Sequence, residues 1–291
     1  MKISKGYRRH FDLALTALQT WLRVDHQSDQ EIAQFLVKNI GDLKGPLQKA
    51  VQLSAMVPGL LPSAMSEILQ ELCMYAPAME WSFARRHLMA ELGPDWQYSF
   101  QNFEQKASFS ASLGQVHKAL LSDGTEVACK IQYPGMDKVL TTDFAHIEWL
   151  CRFYERFGKA IDTQAFQEEL KERLCEEIDY MREGENLKWF SHFFRDDPSL
   201  CVPTYFPSLS TKRILTMSWL EGKPLTEAQS LSQEERNRLG ELIFKAWFHP
   251  FFHAGVLHGD PHIGNMSWTT DRLNLLDFGC VRVFSPQFVQ N

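Results

Sequence analysis

A chain of 291 residues and 33.7 kDa is long enough for one large domain or two modest ones with real hydrophobic cores, which excludes disorder as the main organisation. Its 44% apolar and 23% charged residues match an ordinary soluble globular protein, and no stretch reaches the run of about 18 apolar residues that a spanning helix needs. The formal charge of −6 excludes nucleic-acid binding by bulk electrostatics, because affinity for phosphate backbones rests on a surplus of Lys and Arg. The six cysteines lie far apart with no C-x-x-C pair, so neither a disulfide framework nor a Cys-based zinc site is expected, and a reducing compartment fits. The basic start (Lys2, Lys5, Arg8, Arg9) runs into amphipathic sequence and not into the apolar core of a signal peptide. The expected location is the cytoplasm, or the periphery of an inner membrane.

From Phe11 to about Leu92 the apolar residues recur at helical spacing, as in Ile32, Phe35, Leu36, Ile40 and Leu43, which predicts a helical first third. Pro and Gly at Gly45-Pro46, Pro58-Gly59, Pro62, Pro77 and Gly93-Pro94 divide it. Trp21, Trp81 and Trp96 read as core or boundary residues. Beyond Gly93, Val116 to Leu121 and Glu126 to Gln132 are β-prone runs joined through Asp123-Gly124, a hairpin signal. In the second run Val127, Cys129 and Ile131 alternate with Ala128, Lys130 and Gln132, so Lys130 faces away from the aliphatic set. Thr163 to about Phe194 reads as one long helical stretch with a stripe of Leu170, Leu174, Ile178 and Met181. Two β-like pieces follow, Val202 to Phe206 and Arg213 to Leu220. Then come a helix over Glu234 to Ala254, a polar loop over His258 to Asn265, and a short strand over Leu273 to Leu276.

The run His258-Gly259-Asp260-Pro261-His262-Ile263-Gly264-Asn265, followed by Asp277-Phe278-Gly279, carries the most chemical information. Phosphoryl transfer needs a carboxylate near the attacking oxygen and oxygen ligands for Mg²⁺, because the protein's work is positioning and charge neutralisation. Asp260, Asn265 and Asp277 supply that set, and their spacing resembles the catalytic loop and D-F-G of protein-kinase-like folds. Lys130, in Val-Ala-Cys-Lys, resembles the kinase lysine that contacts nucleotide phosphates and is held by a helix glutamate. Alone it would read as an exposed strand lysine. Its partner is expected from the acidic helix, where Glu172, Glu176, Asp179 and Glu183 recur, a pattern that a solvated helix face would also produce.

With these motifs in order, the sequence resembles the UbiB family of atypical kinases, also called the AarF or ADCK family, associated with coenzyme Q biosynthesis and lipid metabolism. The resemblance runs from about Gly45 to the last residues. Ser108 to His117 stands where the family has an alanine-rich loop leading into Gly-Gln-Val-His, and Glu177-Ile178-Asp179 looks like its E-x-D motif. Lys49-Ala50-Val51-Gln52 falls at its K-x-G-Q motif, on an N-terminal helix that covers the active site. Three positions depart from the pattern: Val51 replaces a glycine, Phe109 with two serines replaces alanines, and Ile263 replaces a proline.

The resemblance implies an α+β, protein-kinase-like two-lobed fold: a helical N-terminal extension (1–96), an antiparallel N-lobe (97–220), and a partial C-lobe (221–291) that is short after Gly279. It implies ATP or ADP with Mg²⁺ as cofactors. Lys130 orients phosphates and Glu183 holds Lys130. Asp277 and Asn265 bind metal, Asp260 serves as base, and Ala111, Ser112, Leu113, Gly114, Gln115 and Met217 contact nucleotide. Lys49, Gln52, Glu177 and Asp179 are the family-motif residues. Partners would be the nucleotide, an isoprenoid lipid or membrane surface, and other lipid-biosynthesis proteins, with no nucleic acid. Two rival readings stand beside this one. The first is a nucleotide-gated scaffold with little turnover. The second is a metal hydrolase built from the pairs His249/His253 and His258/His262 together with Asp260. With so few residues after Gly279, the helix bearing Phe244, Phe248, Phe251 and Phe252 is expected to expose an apolar face.

Overall fold

The computed structural model describes residues 79–111, 113–136 and 163–290. Of the predicted N-terminal helices, only α1 (Trp81–Leu92) lies within them. It buries Ala84 and Leu88, four apart on one face, and ends at Gly93, whose φ of 92° favours glycine. A 3₁₀ turn, Trp96–Ser99, leads into β1 (Phe100–Phe103). The short β2 (Phe109–Ala111) is entered through Ser108, whose N–H donates to the Val116 carbonyl at 2.8 Å. The predicted hairpin follows as β3 (Gly114–Leu121) and β4 (Glu126–Gln132). Its turn closes through Gly124 N–H to the Leu121 carbonyl at 3.0 Å, with Gly124 at φ 87° and the Asp123 carboxylate accepting from Thr125 N–H at 2.9 Å.

The single long helix expected over Thr163 to Phe194 is two helices, α2 (Thr163–Glu177) and α3 (Tyr180–Phe193). Asp179 makes the break. With φ −104° and ψ 88° it leaves the helical region, and its carboxylate caps the second helix by accepting from Met181 and Arg182 N–H. Restarting there resets the helical phase. The buried face of α3 is therefore Tyr180, Glu183, Gly184, Leu187 and Phe190, while Met181 of the predicted stripe is 41% exposed.

After α3 the expected strand over Val202 to Phe206 is replaced by β5 (Leu200–Cys201) and an isolated bridge from Tyr205 to Met217. Then β6 (Ile214–Ser218) completes an antiparallel sheet of order β1-β3-β4-β6. The β4–β6 register sets Lys130 opposite Leu215 and Ala128 opposite Met217, so these four share one face. The other side of the sheet carries an aromatic cluster of Trp81, Trp96, Phe100, Phe103 and His117, with Trp81 5.8 Å and Phe103 5.6 Å from the His117 ring. His117 is fully buried, which lowers its pKa and keeps the ring neutral. Its Nδ1 lies 2.8 Å from the Glu104 carbonyl and so carries the proton, which leaves Nε2 to accept from the Gln115 amide at 2.7 Å.

The remaining elements are β7 (Lys223–Pro224), α4 (Gln233–Ala254), β8 (Val256–His258), β9 (Met266–Trp268), β10 (Leu273–Leu275), β11 (Val281–Val283) and α5 (Pro286–Gln290). A capping box of Ser232 and Glu235 starts α4, and Gly255 ends it in the left-handed region at φ 67°. A small sheet of order β5-β10-β9-β7 and the antiparallel pair β8–β11 follow. The main core gathers Tyr180, Leu187, Phe190, Leu215, Met217, Trp247, Leu273, Leu275 and Phe278. Phe244, Phe248 and Phe252 of α4 are 61%, 39% and 60% exposed, so the apolar face expected there is present.

No helix among the described residues is long and apolar enough to cross a membrane. The chain divides into two compact units. One comprises Glu80–Phe109, Gln115–Gln132 and Cys175–Asn291; the other, among the described residues, takes in Ser110–Gly114, 133–136 and 163–174.

Gly184 is a strict packing position. A Cβ there would overlap the Tyr205 ring, 2.5 Å from Cε2 and 2.8 Å from the hydroxyl oxygen, and Tyr205 is itself buried. Gly184→Ala is expected to lower stability by about 1–3 kcal/mol, the usual range for overpacking. Chemical denaturation would show it, and adding Tyr205→Leu should recover part of the loss. Parent-like stability of the single variant would contradict this packing.

Candidate active site

Lys130 is not an exposed strand lysine. Its ammonium lies 2.8 and 2.9 Å from the two Glu183 carboxylate oxygens and 2.8 Å from Asp277 Oδ2, with the Tyr180 ring centroid 5.0 Å away. Of the acidic residues put forward for this pairing, the structure selects Glu183. The charge balance is uneven. Burial disfavours the ammonium, yet Asp277 and Glu183 together hold Lys130 well above 10.5. Among the described residues Glu183 faces one cation, Lys130, and also the Asp277 charge, so burial prevails and pushes its carboxyl up to about 7. A single lysine thus serves two carboxylates.

Two strand pairings and one histidine ring bring the catalytic-loop residues to this point. Leu275 pairs with Met266 in the β9–β10 ladder, and one residue further Leu276 N–H donates to the Asn265 carbonyl at 2.9 Å, which sets Asn265 beside the strand end that carries Asp277. Val281 pairs with His258, and Gly259 N–H donates to the Cys280 carbonyl at 2.8 Å, which brings Asp260 alongside the same segment. His258 Nε2 donates to the Asp277 carbonyl at 2.6 Å while Nδ1 accepts from Asp260 N–H at 3.3 Å, so one ring ties the two motifs together. The Asn265 side-chain amide donates to the Asp260 carbonyl at 3.4 Å.

From the other side α3 grips the D-F-G segment. Asn186 donates to the Phe278 carbonyl at 2.9 Å, and Phe278 N–H approaches Glu183 Oε1 at 3.5 Å. The Phe278 ring is fully buried against Phe190 and His258, at centroid distances of 5.0 and 5.6 Å. Asn186 is a contact of the D-F-G segment that sequence reasoning missed; its place three residues after Glu183, on the same helix face, was the available signal.

The other expected site residues are distributed as follows. Met217 is buried on the Lys130 face of the sheet. Leu113 and Gly114 are buried, Ala111 is half-buried, and the Leu113 carbonyl accepts from Tyr133 N–H at 2.9 Å. The Gln115 side chain turns to His117. Phe109, the bulky departure in the loop, stacks on Trp219 at 5.9 Å. Asp179 is the helix cap, and the Glu177 side chain reaches the vicinity of Gly279, near Asp277. Lys49, Gln52 and Ser112 lie outside the described residues.

Three of the four histidines of the hydrolase reading engage their ring nitrogens elsewhere. His253 Nδ1 lies 2.9 Å from the His249 carbonyl, His258 uses both ring nitrogens as above, and His262 Nδ1 accepts from Gly264 N–H at 3.0 Å. Among the described residues no three His, Cys, Asp or Glu side chains converge on a metal position. Asp260, Asn265 and Asp277 offer carboxylate and amide oxygens, hard donors of the type Mg²⁺ takes together with waters and phosphates.

Comparison with known proteins agrees with this geometry. The family model of the ABC1 atypical kinase-like domain matches residues 71–291. The rat protein called atypical kinase COQ8B, mitochondrial, is 30% identical over 262 residues, which is 89% of this chain and 50% of that protein. Yeast atypical kinase COQ8, mitochondrial, is 30% identical over 265 residues, 90% of this chain and 53% of its own length. The chain therefore spans about half the length of these curated relatives. Among solved structures, the Mycobacterium tuberculosis protein Rv3197, determined in complex with erythromycin, is similar with a TM-score of 0.64 and 33% identity over 87% of this chain and 65% of that one. The matched region contains Lys130, Glu183, Asp260, Asn265 and Asp277, and the chain belongs to the ABC1 atypical kinase-like family.

Proposed function

We propose that the protein binds ATP or ADP with Mg²⁺ and transfers or hydrolyses the terminal phosphoryl group, in support of ubiquinone or related isoprenoid-lipid metabolism. The observation that carries this reading is the contact of Lys130 with both Glu183 and Asp277, at 2.8 Å each, on a sheet face shared with Met217. Lys130 would turn its ammonium to the phosphates, with Glu183 holding it in place. Asp277 and Asn265 would hold the metal, which neutralises charge on the transferring group. Asp260, fixed by His258 and Asn265, would take the proton of the attacking hydroxyl or water. The likeness to COQ8 proteins supports the lipid-metabolic role, and the motif that covers the cleft in this family argues against a protein acceptor.

Mg-ATP at a hundred times its dissociation constant is expected to stabilise the protein by about 2.7 kcal/mol, read as a rise in melting temperature. Phosphate release should then fall by roughly two orders of magnitude or more in Asp277→Asn, which keeps the side-chain shape and removes the charge. Equal release by parent and variant would remove the enzymatic reading. Binding without any Asp277-dependent release would make the protein a nucleotide-gated scaffold.

A further inference from the structure

Two residues beyond Lys130, on the same face of β4, lies Gln132, 1% exposed. Its amide nitrogen donates to the Ile178 carbonyl at 2.9 Å. Ile178 lies in the break between α2 and α3, where the final carbonyls of the first helix have lost their intrahelical donors. The same turn is tied at two further points. Glu176 accepts from Arg182 at 2.5 Å and from Arg282 at 2.8 Å, and Arg282 sits on β11, five residues past Asp277. Tyr180 N–H donates to the Lys212 carbonyl at 3.1 Å, on the turn before β6. The junction is thus held from β4, β6 and β11.

Glu183 lies one turn into α3, its N–H bonded to the Asp179 carbonyl at 3.2 Å. Apolar contacts of Leu187 and Phe190 decide which face of the helix meets the sheet, but burial is non-directional and does not fix position along the axis. A shift by one residue's rise, about 1.5 Å, would take the Glu183 carboxylate out of hydrogen-bond range of Lys130. Directional bonds at the helix start, together with the Asn186–Phe278 bond further along, oppose it.

We infer that Gln132 and Glu176 are positioning residues: they lock the α2–α3 junction to β4 and β11 and so set where Glu183 meets Lys130. The strand that carries the lysine therefore also carries, two residues on, the group that aligns its partner. The segment after Asp277 reports its own position to the same junction through Arg282. The consequence for turnover rests on the proposed phosphoryl-transfer reading; the geometry itself does not.

The test is acylation of Lys130 by a small amine-reactive ester in the full chain, read by mass spectrometry and normalised to Lys188, whose side chain is 67% exposed. In the parent, Lys130 is paired and should label slowly. Gln132→Met, an apolar replacement of similar length, should raise Lys130 labelling roughly tenfold in the folded protein, the scale of one lost hydrogen bond. Glu176→Gln, which keeps the side-chain shape and one accepting oxygen at a side chain 12% exposed, should raise it several-fold. Parent-like labelling in a folded Gln132→Met protein overturns the inference. Should that variant not fold, parent-like labelling in Glu176→Gln overturns it instead. Labelling needs no nucleotide, so this result is independent of whether the protein turns over ATP.

Discussion

Lys130→Met is expected to abolish the nucleotide-dependent rise in melting temperature and to lower stability in the absence of ligand by about 3–5 kcal/mol, the range for breaking one side of a buried ion pair. The loss arises because Glu183, 2% exposed, and Asp277 would lose the cation they share, so that Glu183 either carries an unpaired buried charge or takes up a proton. The penalty has a pH signature. Glu183 already sits at about 7 with Lys130 beside it, and without the ammonium its carboxyl moves higher still, above the ordinary 4.5. A carboxyl whose pKa is raised on folding binds more protons in the folded state. Stability is then fully present below about 4.5 and is lost as pH rises through 7 and beyond. Denaturation of the variant from pH 5 to pH 8 should show a steeper decline than the parent. A variant that loses nothing, or that gains stability on going to pH 8, would contradict the buried triad.

Phe278→Ala should cost about 3–5 kcal/mol, because the ring is wholly buried between Phe190 and His258 and its removal leaves a cavity that helix α3 and the catalytic loop cannot both close. Phe278→Leu should lose less. The functional loss should exceed the stability loss, since the Phe278 backbone is held by Asn186 and lies next to Asp277. Urea unfolding with phosphate release measured on the folded fraction separates the two. A decrease of under 1 kcal/mol would mean that this ring does not anchor the segment.

Much of the site was legible because its chemistry is written in short-range patterns. Asp123-Gly124 fixed the hairpin, and two-residue alternation placed Lys130 on the face away from Val127, Cys129 and Ile131. The expectation of an exposed lysine as the alternative failed because alternation tells which face a residue takes and not what covers that face; here both faces of β4 are buried. The selection of Glu183 from four acidic candidates followed from family likeness. Periodicity alone could not make it, because the helix restarts at Asp179 and the phase counted from Thr163 no longer applies. A capping aspartate inside an otherwise helical run was the missed signal. The Gln115–His117 pair and its aromatic surroundings were also hidden, since contacts from α1 and β1 are made across long sequence separations that no window reveals.

The pairing of Lys130 with Asp277 joins positions 147 residues apart, whereas Lys130 and Glu183 are separated by 53. Assembly on the ribosome therefore has an order. Strand β4 and helix α3 can meet while the polypeptide beyond is still being synthesised, at about 5–20 residues per second. The second carboxylate becomes available only after several further seconds of elongation. During that interval the lysine has Glu183 but not Asp277 as a counterion.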